Sequence, residues 1–86
     1  MPKISAFYGV TIAMYYGDHA PPHFHAHYGG KEALVAIETG EVVARSFPKR
    51  AAALVEEWRR LRLTELAENW DRASNHEPLL PVPPLD

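Results

Sequence analysis

The sequence predicts an α+β domain: an antiparallel sheet of about four strands, with two C-terminal helices packed on one face. Three observations predict it. Residues 4–45 fall into short runs of strand-type alternation, separated by Gly, Pro and Thr-Gly turn signals. From Pro48 onward the apolar period changes to three and four residues. At 86 residues the chain is one domain, with enough length for a single modest core.

The elements follow in order. Residues 4–16 read as one long strand. Ile4, Ala6, Tyr8, Val10, Ile12, Met14 and Tyr16 lie on one face, and Ser5, Thr11 and Ala13 on the other. Gly9 marks a bulge or a close backbone approach. Residues 17–22 form a turn stiffened by Pro21-Pro22. Residues 23–28 form the second strand, and Gly29-Gly30 is a two-residue hairpin signal. Residues 32–38 and 41–45 are the third and fourth strands, joined by a turn at Thr39-Gly40, so that the last three strands form an antiparallel meander.

Ala51, Leu54, Val55, Trp58 and Leu61 make the apolar stripe of the first helix, with Pro48 suited to its first turn. Leu66, Ala67, Trp70 and Ala73 make the stripe of the second, with Thr64 as its N-cap. Both tryptophans are expected in the core between helix and sheet. Residues 1–76 are therefore read as the domain and residues 77–86 as a proline-rich tail. Four of the eight prolines lie in this tail, which excludes a helix. The apolar residues among them favour an extended strap, docked on this chain or on another.

Composition excludes several classes. The chain has no cysteine, so disulfides, thiolate nucleophiles and cysteine-based zinc sites are out. No apolar run approaches the ~18 residues of a membrane span, and no signal peptide is recognisable, so no membrane partner and a cytoplasmic location are expected. A net charge of −2 weighs against a strong nonspecific grip on nucleic acid. The basic residues are nonetheless clustered: Arg45, Lys49 and Arg50 in one group, Arg59, Arg60 and Arg62 in another.

The dense chemistry lies in Asp18-His19-Ala20-Pro21-Pro22-His23-Phe24-His25-Ala26-His27-Tyr28, which holds four of the five histidines. On a strand, His23, His25 and His27 share one face, about 7 Å apart at each step. Two chemistries follow. His23 and His25 are candidate catalytic acid–base residues. His19, His23 and His25 are candidate ligands of a divalent metal such as zinc, with Asp18 the other group able to complete the shell. Arg45, Lys49 and Arg50 are a candidate anion site. Two of these cations sit in the first turn of a helix, where they oppose its dipole, and the amides there are free.

The runs Ile4-Ser5-Ala6-Phe7-Tyr8-Gly9-Val10 and Met14-Tyr15-Tyr16-Gly17-Asp18-His19-Ala20-Pro21-Pro22-His23-Phe24-His25 resemble domain-of-unknown-function family 4160, a bacterial family of about this length. The segments Pro48-Lys49-Arg50-Ala51 and Glu68-Asn69-Trp70, and the proline-rich end, resemble it too. The shared motif maps onto Asp18, His19, Pro21, Pro22, His23 and His25, whereas His27 falls where the family is looser. The resemblance implies a gene often found beside a second small gene, as in toxin–antitoxin or regulatory pairs. The expected function is thus a small binding module, one half of such a pair. It would act through protein–protein contacts with itself or the neighbouring gene product, and through nucleic acid. The alternative is a small histidine- or metal-dependent hydrolase of the ribonuclease-toxin type, with Arg45, Lys49 or Arg50 holding phosphate beside His23 and His25.

Overall fold

A computed structural model describes residues 2–86 of the chain. Five strands run in sequence order across one antiparallel sheet: β1 (Lys3–Phe7), β2 (Val10–Ala13), β3 (His23–Tyr28), β4 (Lys31–Ala36) and β5 (Val42–Ala44). Two helices follow, α1 (Lys49–Leu61) and α2 (Leu63–Ser74). The α+β class is as the sequence predicts. No helix is long and apolar enough to cross a membrane.

The fifth strand comes from the long strand expected over residues 4–16. The chain reverses at Tyr8-Gly9, where both residues have positive φ (48° and 83°), and β1 folds back on β2 with Phe7 opposite Val10. That is the twist a tight hairpin requires. The reversal is hidden in sequence because Tyr8 preserves the alternation. A break in register between Lys3 and Ser5 then lets both Ile4 and Phe7 face the core. Gly29-Gly30 makes the expected turn, with φ of 55° and 80° and Tyr28 opposite Lys31.

β3 is the middle strand, and its alternation divides the molecule. Phe24 and Ala26 point to one face and are fully buried. Against them lies α1, through Ala51, Val55 and Trp58. The Trp58 ring meets Phe24 edge-on at 5.6 Å and Phe7 at 5.4 Å. Leu66 and Ala73 of α2 join the same core. Trp70 packs against that core while only half-buried, and its ring also lies 5.3 Å from His23. Leu61 is also exposed, because α1 ends there. The second helix begins one residue before Thr64, with Arg62 at its N-cap position, so the two helices are separated by a single residue.

Residues 77–86 are a strap docked on their own chain. Val82 and Leu85 are core residues. The Val82 N–H donates to the Ile4 carbonyl, and the Trp58 indole N–H donates to the Pro83 carbonyl. Buried Asn69 holds Leu80 by both ends of its amide, donating to the Leu80 carbonyl and accepting from the Leu80 N–H, each at 2.9 Å. The strap thus closes the core, and the domain runs past residue 76.

One buried charge locks α1 to the sheet. Arg59 is only 6% exposed. Its guanidinium donates to the Ile37 carbonyl at 2.7 Å and to both carboxylate oxygens of Glu56 at 2.8 and 2.9 Å. Gly40 is where it is because a Cβ there would come within 2.8 Å of that guanidinium and of Glu56. Bonding from Arg59, opposed by burial and helped by Arg60, pulls the Glu56 carboxyl from 4.5 down to about 2.

Two outcomes follow. The depressed Glu56 carboxyl adds stability that is fully present above pH 4.5 and is lost as pH falls toward about 2. Glu56→Gln should therefore destabilise by about 1.5–3 kcal/mol at pH 7. Its deficit relative to wild type should shrink between pH 4.5 and 2, as read by urea unfolding at each pH. A constant deficit would show that the carboxylate charge is irrelevant. Deleting residues 77–86 removes two core side chains, each worth about 1.5–3 kcal/mol. It should lower stability by about 3–6 kcal/mol in the same assay.

Candidate metal centre

Because Phe24 and Ala26 take the core face, His23, His25 and His27 must take the other. On that face they neighbour Thr11 and Ala13 of β2 and Glu32, Leu34 and Ala36 of β4. Asp18 arrives from the loop between β2 and β3. The loop is tied down along its length: the Met14 N–H donates to the Pro2 carbonyl, and the Gly17 N–H donates to the Ala73 carbonyl at the end of α2. The Pro22 carbonyl accepts from the Ile37 N–H beyond β4.

The result is a chain of polar side chains. Asp18 Oδ2 lies 3.0 Å from His23 Nε2 and 3.2 Å from His25 Nε2. The far nitrogens are occupied as well. His23 Nδ1 donates to the Pro21 carbonyl at 2.9 Å, and His25 Nδ1 faces Glu32 Oε2 at 2.8 Å. His27 Nε2 lies 3.6 Å from the same Glu32 oxygen, too far for a hydrogen bond, and has no hydrogen-bonding partner. Tyr15 sits edge-on to His25 at 4.5 Å, and Trp70 flanks His23, so both rings are held by packing as well as by bonds.

The charge balance at Asp18 is informative. Burial would raise its carboxyl. The His19 backbone N–H, a hydrogen bond from His25 and the charge and hydrogen bond of His23 outweigh this and hold it below its ordinary value. Asp18 thus stays an anion between two imidazoles whose Nε2 atoms converge on one of its oxygens.

Asp18, His23 and His25 each offer one ligand atom, all within 4.8 Å of one another, the one such group among the described residues. His19, expected in this set, is elsewhere: its side chain is exposed, and only its backbone N–H reaches Asp18, at 2.8 Å. A stiff proline loop in sequence does not reveal which of two adjacent residues turns inward. Glu32 and the Pro21 carbonyl, which orient the two imidazoles, were not legible as site residues either. The signal for Glu32 was its register four residues past Tyr28 across the Gly29-Gly30 hairpin, which sets it opposite His27.

Beside the cluster lies a groove of about 270 Å³, with an apolar floor of Leu34, Ala36 and Val43 and a rim that includes Asp18, His19, His23 and Glu41. Arg45, Lys49 and Arg50 are not part of this site. They are exposed, and they lie at the far end of β3, where Phe47 packs on Tyr28. Five steps along a strand are about 16 Å, and α1 starts on the opposite face. Lys49 and Arg50 therefore start from the other end and the other face of the sheet from His23.

The model of the family described as Domain of unknown function (DUF4160) matches residues 9–71, which contain the whole histidine segment, α1 and most of α2. No curated protein and no solved structure matches the chain. The match covers well over half of the sequence, with the Asp18, His23 and His25 cluster inside it, and so the chain belongs to the DUF4160 family.

Proposed function

We propose that the protein is a small metal-binding module that holds one divalent transition-metal ion on Asp18, His23 and His25. The observation that carries this reading is the orientation of the two imidazoles. A neutral imidazole has one N–H. His23 spends its proton on the Pro21 carbonyl, and the short Nδ1 contact of His25 spends its proton on Glu32. Each Nε2 is then left to face the same Asp18 oxygen, at 3.0 and 3.2 Å, and it does so in one of two states: protonated and donating to Asp18, or bare and sharing a metal ion with it. The metal state uses both imidazoles neutral, each with its one N–H spent on its own acceptor. Metal-bound histidines characteristically donate the other N–H to a carbonyl or carboxylate, as both do here.

The spacing agrees. Zinc bonds of about 2.0–2.1 Å put neighbouring tetrahedral ligands about 3.3 Å apart, close to the 3.0 and 3.2 Å between Asp18 and the two histidines. Imidazole and carboxylate donors suit zinc, nickel or iron rather than magnesium or calcium.

The ion's open position would face solvent beside the apolar groove. In a binding module, one half of a two-gene pair, that position and the groove grip the partner. One observation favours the second reading, a small hydrolase. Three protein ligands, rather than four, is the count of catalytic zinc sites, where bound water becomes the nucleophile.

Zinc or nickel should raise the melting temperature of the purified protein in proportion to the logarithm of free metal. Asp18→Asn and His25→Ala should abolish the rise. Glu32→Gln should weaken affinity about 10–100-fold, while His19→Ala should leave it unchanged. A wild-type melting temperature that stays flat up to millimolar metal sinks the proposal. Hydrolysis of phosphodiester or ester substrates by the zinc-loaded protein, absent in His25→Ala, selects the hydrolase reading over the binding module.

A further inference from the structure

The end of the sheet away from the histidines has a different chemistry. The turns at Tyr8-Gly9 and Gly29-Gly30 meet there, since Val10 pairs with both Phe7 and Tyr28. The segment from Arg45 to Arg50 passes beside them, with Phe47 packed on Tyr28. Lys31, Arg45, Lys49 and Arg50 are all exposed at this end. Among the described residues, none of the four lies within ion-pair distance of a carboxylate. Arg59, Arg60 and Arg72 are each paired within their helices, and Arg62, between the helices, is paired with Glu65. Residues 2–17 and 42–55 contain no Asp or Glu, and the carboxylate of Glu32, beside Lys31, is turned to His25 on the other face.

Two local preferences are broken at this same end. Lys49 and Arg50 open α1, whose first turn has no acidic residue and no side-chain cap, so their charges oppose the helix dipole. Tyr8 holds φ at 48°, a conformation that disfavours bulky side chains, and the residue is 60% exposed. A groove of about 440 Å³ runs between Tyr8, Tyr28, Arg50, Ala51 and Leu54. It presents aromatic faces next to a guanidinium.

We propose that this end of the molecule binds single-stranded nucleic acid, with bases stacked at Tyr8 and Tyr28 and phosphates on Lys31, Arg45, Lys49 and Arg50. An exposed Tyr8 and a half-buried Tyr28 beside unpaired cations are what such strands recognise, because every base has a face to stack and every linkage a charge. An acidic peptide would satisfy the cations but gain little from the tyrosines. A long duplex would extend past the basic patch over a chain whose net charge is −2. The surface is small, so it suits a few nucleotides.

The test is fluorescence anisotropy with labelled 12-nucleotide oligo(dT) and a mixed-sequence RNA of equal length, with and without a chelator. Binding in the micromolar range at about 50 mM salt is expected, and it should be indifferent to the chelator, which separates this site from the metal centre. The slope of log K against log salt should be about −2 to −3 for three or four phosphates. Lys49→Ala with Arg50→Ala should flatten the slope by about 0.7 per cation removed. Tyr8→Asn, which tolerates the turn conformation, should weaken binding at least about fivefold with the slope unchanged. These variants should melt like wild type, since none removes a buried group. Absence of binding at low salt overturns the proposal, as does binding that ignores these substitutions. Equal competition by a poly-glutamate peptide of the same charge also overturns it and assigns the surface to an acidic protein partner.

Discussion

Everything in this molecule depends on the two-residue alternation of β3. It is the middle of five strands, so both of its edges are paired and its side chains can point only to the two faces. Phe24 and Ala26 take the face covered by α1, where Phe24 meets Trp58. A one-residue slip would set His23 and His25 against Trp58 and expel Phe24 to the surface. The core and the histidine cluster are therefore one decision. The burial of a single phenylalanine and a single alanine aims the imidazoles.

The centre is rigid for the same reason. Its histidines stand on a strand, and each ring is fixed by a bond at Nδ1 and by an aromatic neighbour. The Asp18 loop is anchored to the N-terminal segment, to the end of α2 and to the chain beyond β4. Side chains held in this way keep their geometry by themselves, because the supporting bonds to Pro21 and Glu32 lie outside the Asp18, His23 and His25 group. The helices contribute from behind: α2 provides the Ala73 carbonyl and the Trp70 ring, and Asn69, next to Trp70, clamps the strap. The segment Glu68-Asn69-Trp70 thus links core closure to the histidine face.

Charge is distributed along the sheet with a clear polarity. Arg59, Arg60, Arg62 and Arg72 are consumed by ion pairs along the helices, and Arg59 also locks α1 to the turn after β4. Lys31, Arg45, Lys49 and Arg50 are left free at the opposite end of the sheet from Asp18. The two ends of β3 consequently carry different chemistries, one anionic and imidazole-rich, the other basic and aromatic. They are separated by the length of one strand.

The sequence by itself determined the fold class, the Gly29-Gly30 hairpin, the amphipathic stripe through Ala51, Val55 and Trp58, and the common face of His23 and His25. Each is a local pattern, expressed within a turn or two by the period of a strand or helix. Tertiary structure decided the rest. The Tyr8-Gly9 reversal was invisible because alternation survives a two-residue turn. Burial of Arg59 depends on a carbonyl 22 residues away, and docking of the strap on an indole 25 residues away. Asp18 rather than His19 faces the histidines because α2 pins Gly17 and the chain beyond β4 pins Pro22. Contacts between distant residues form only when the whole chain has closed around them, and no local period carries that information.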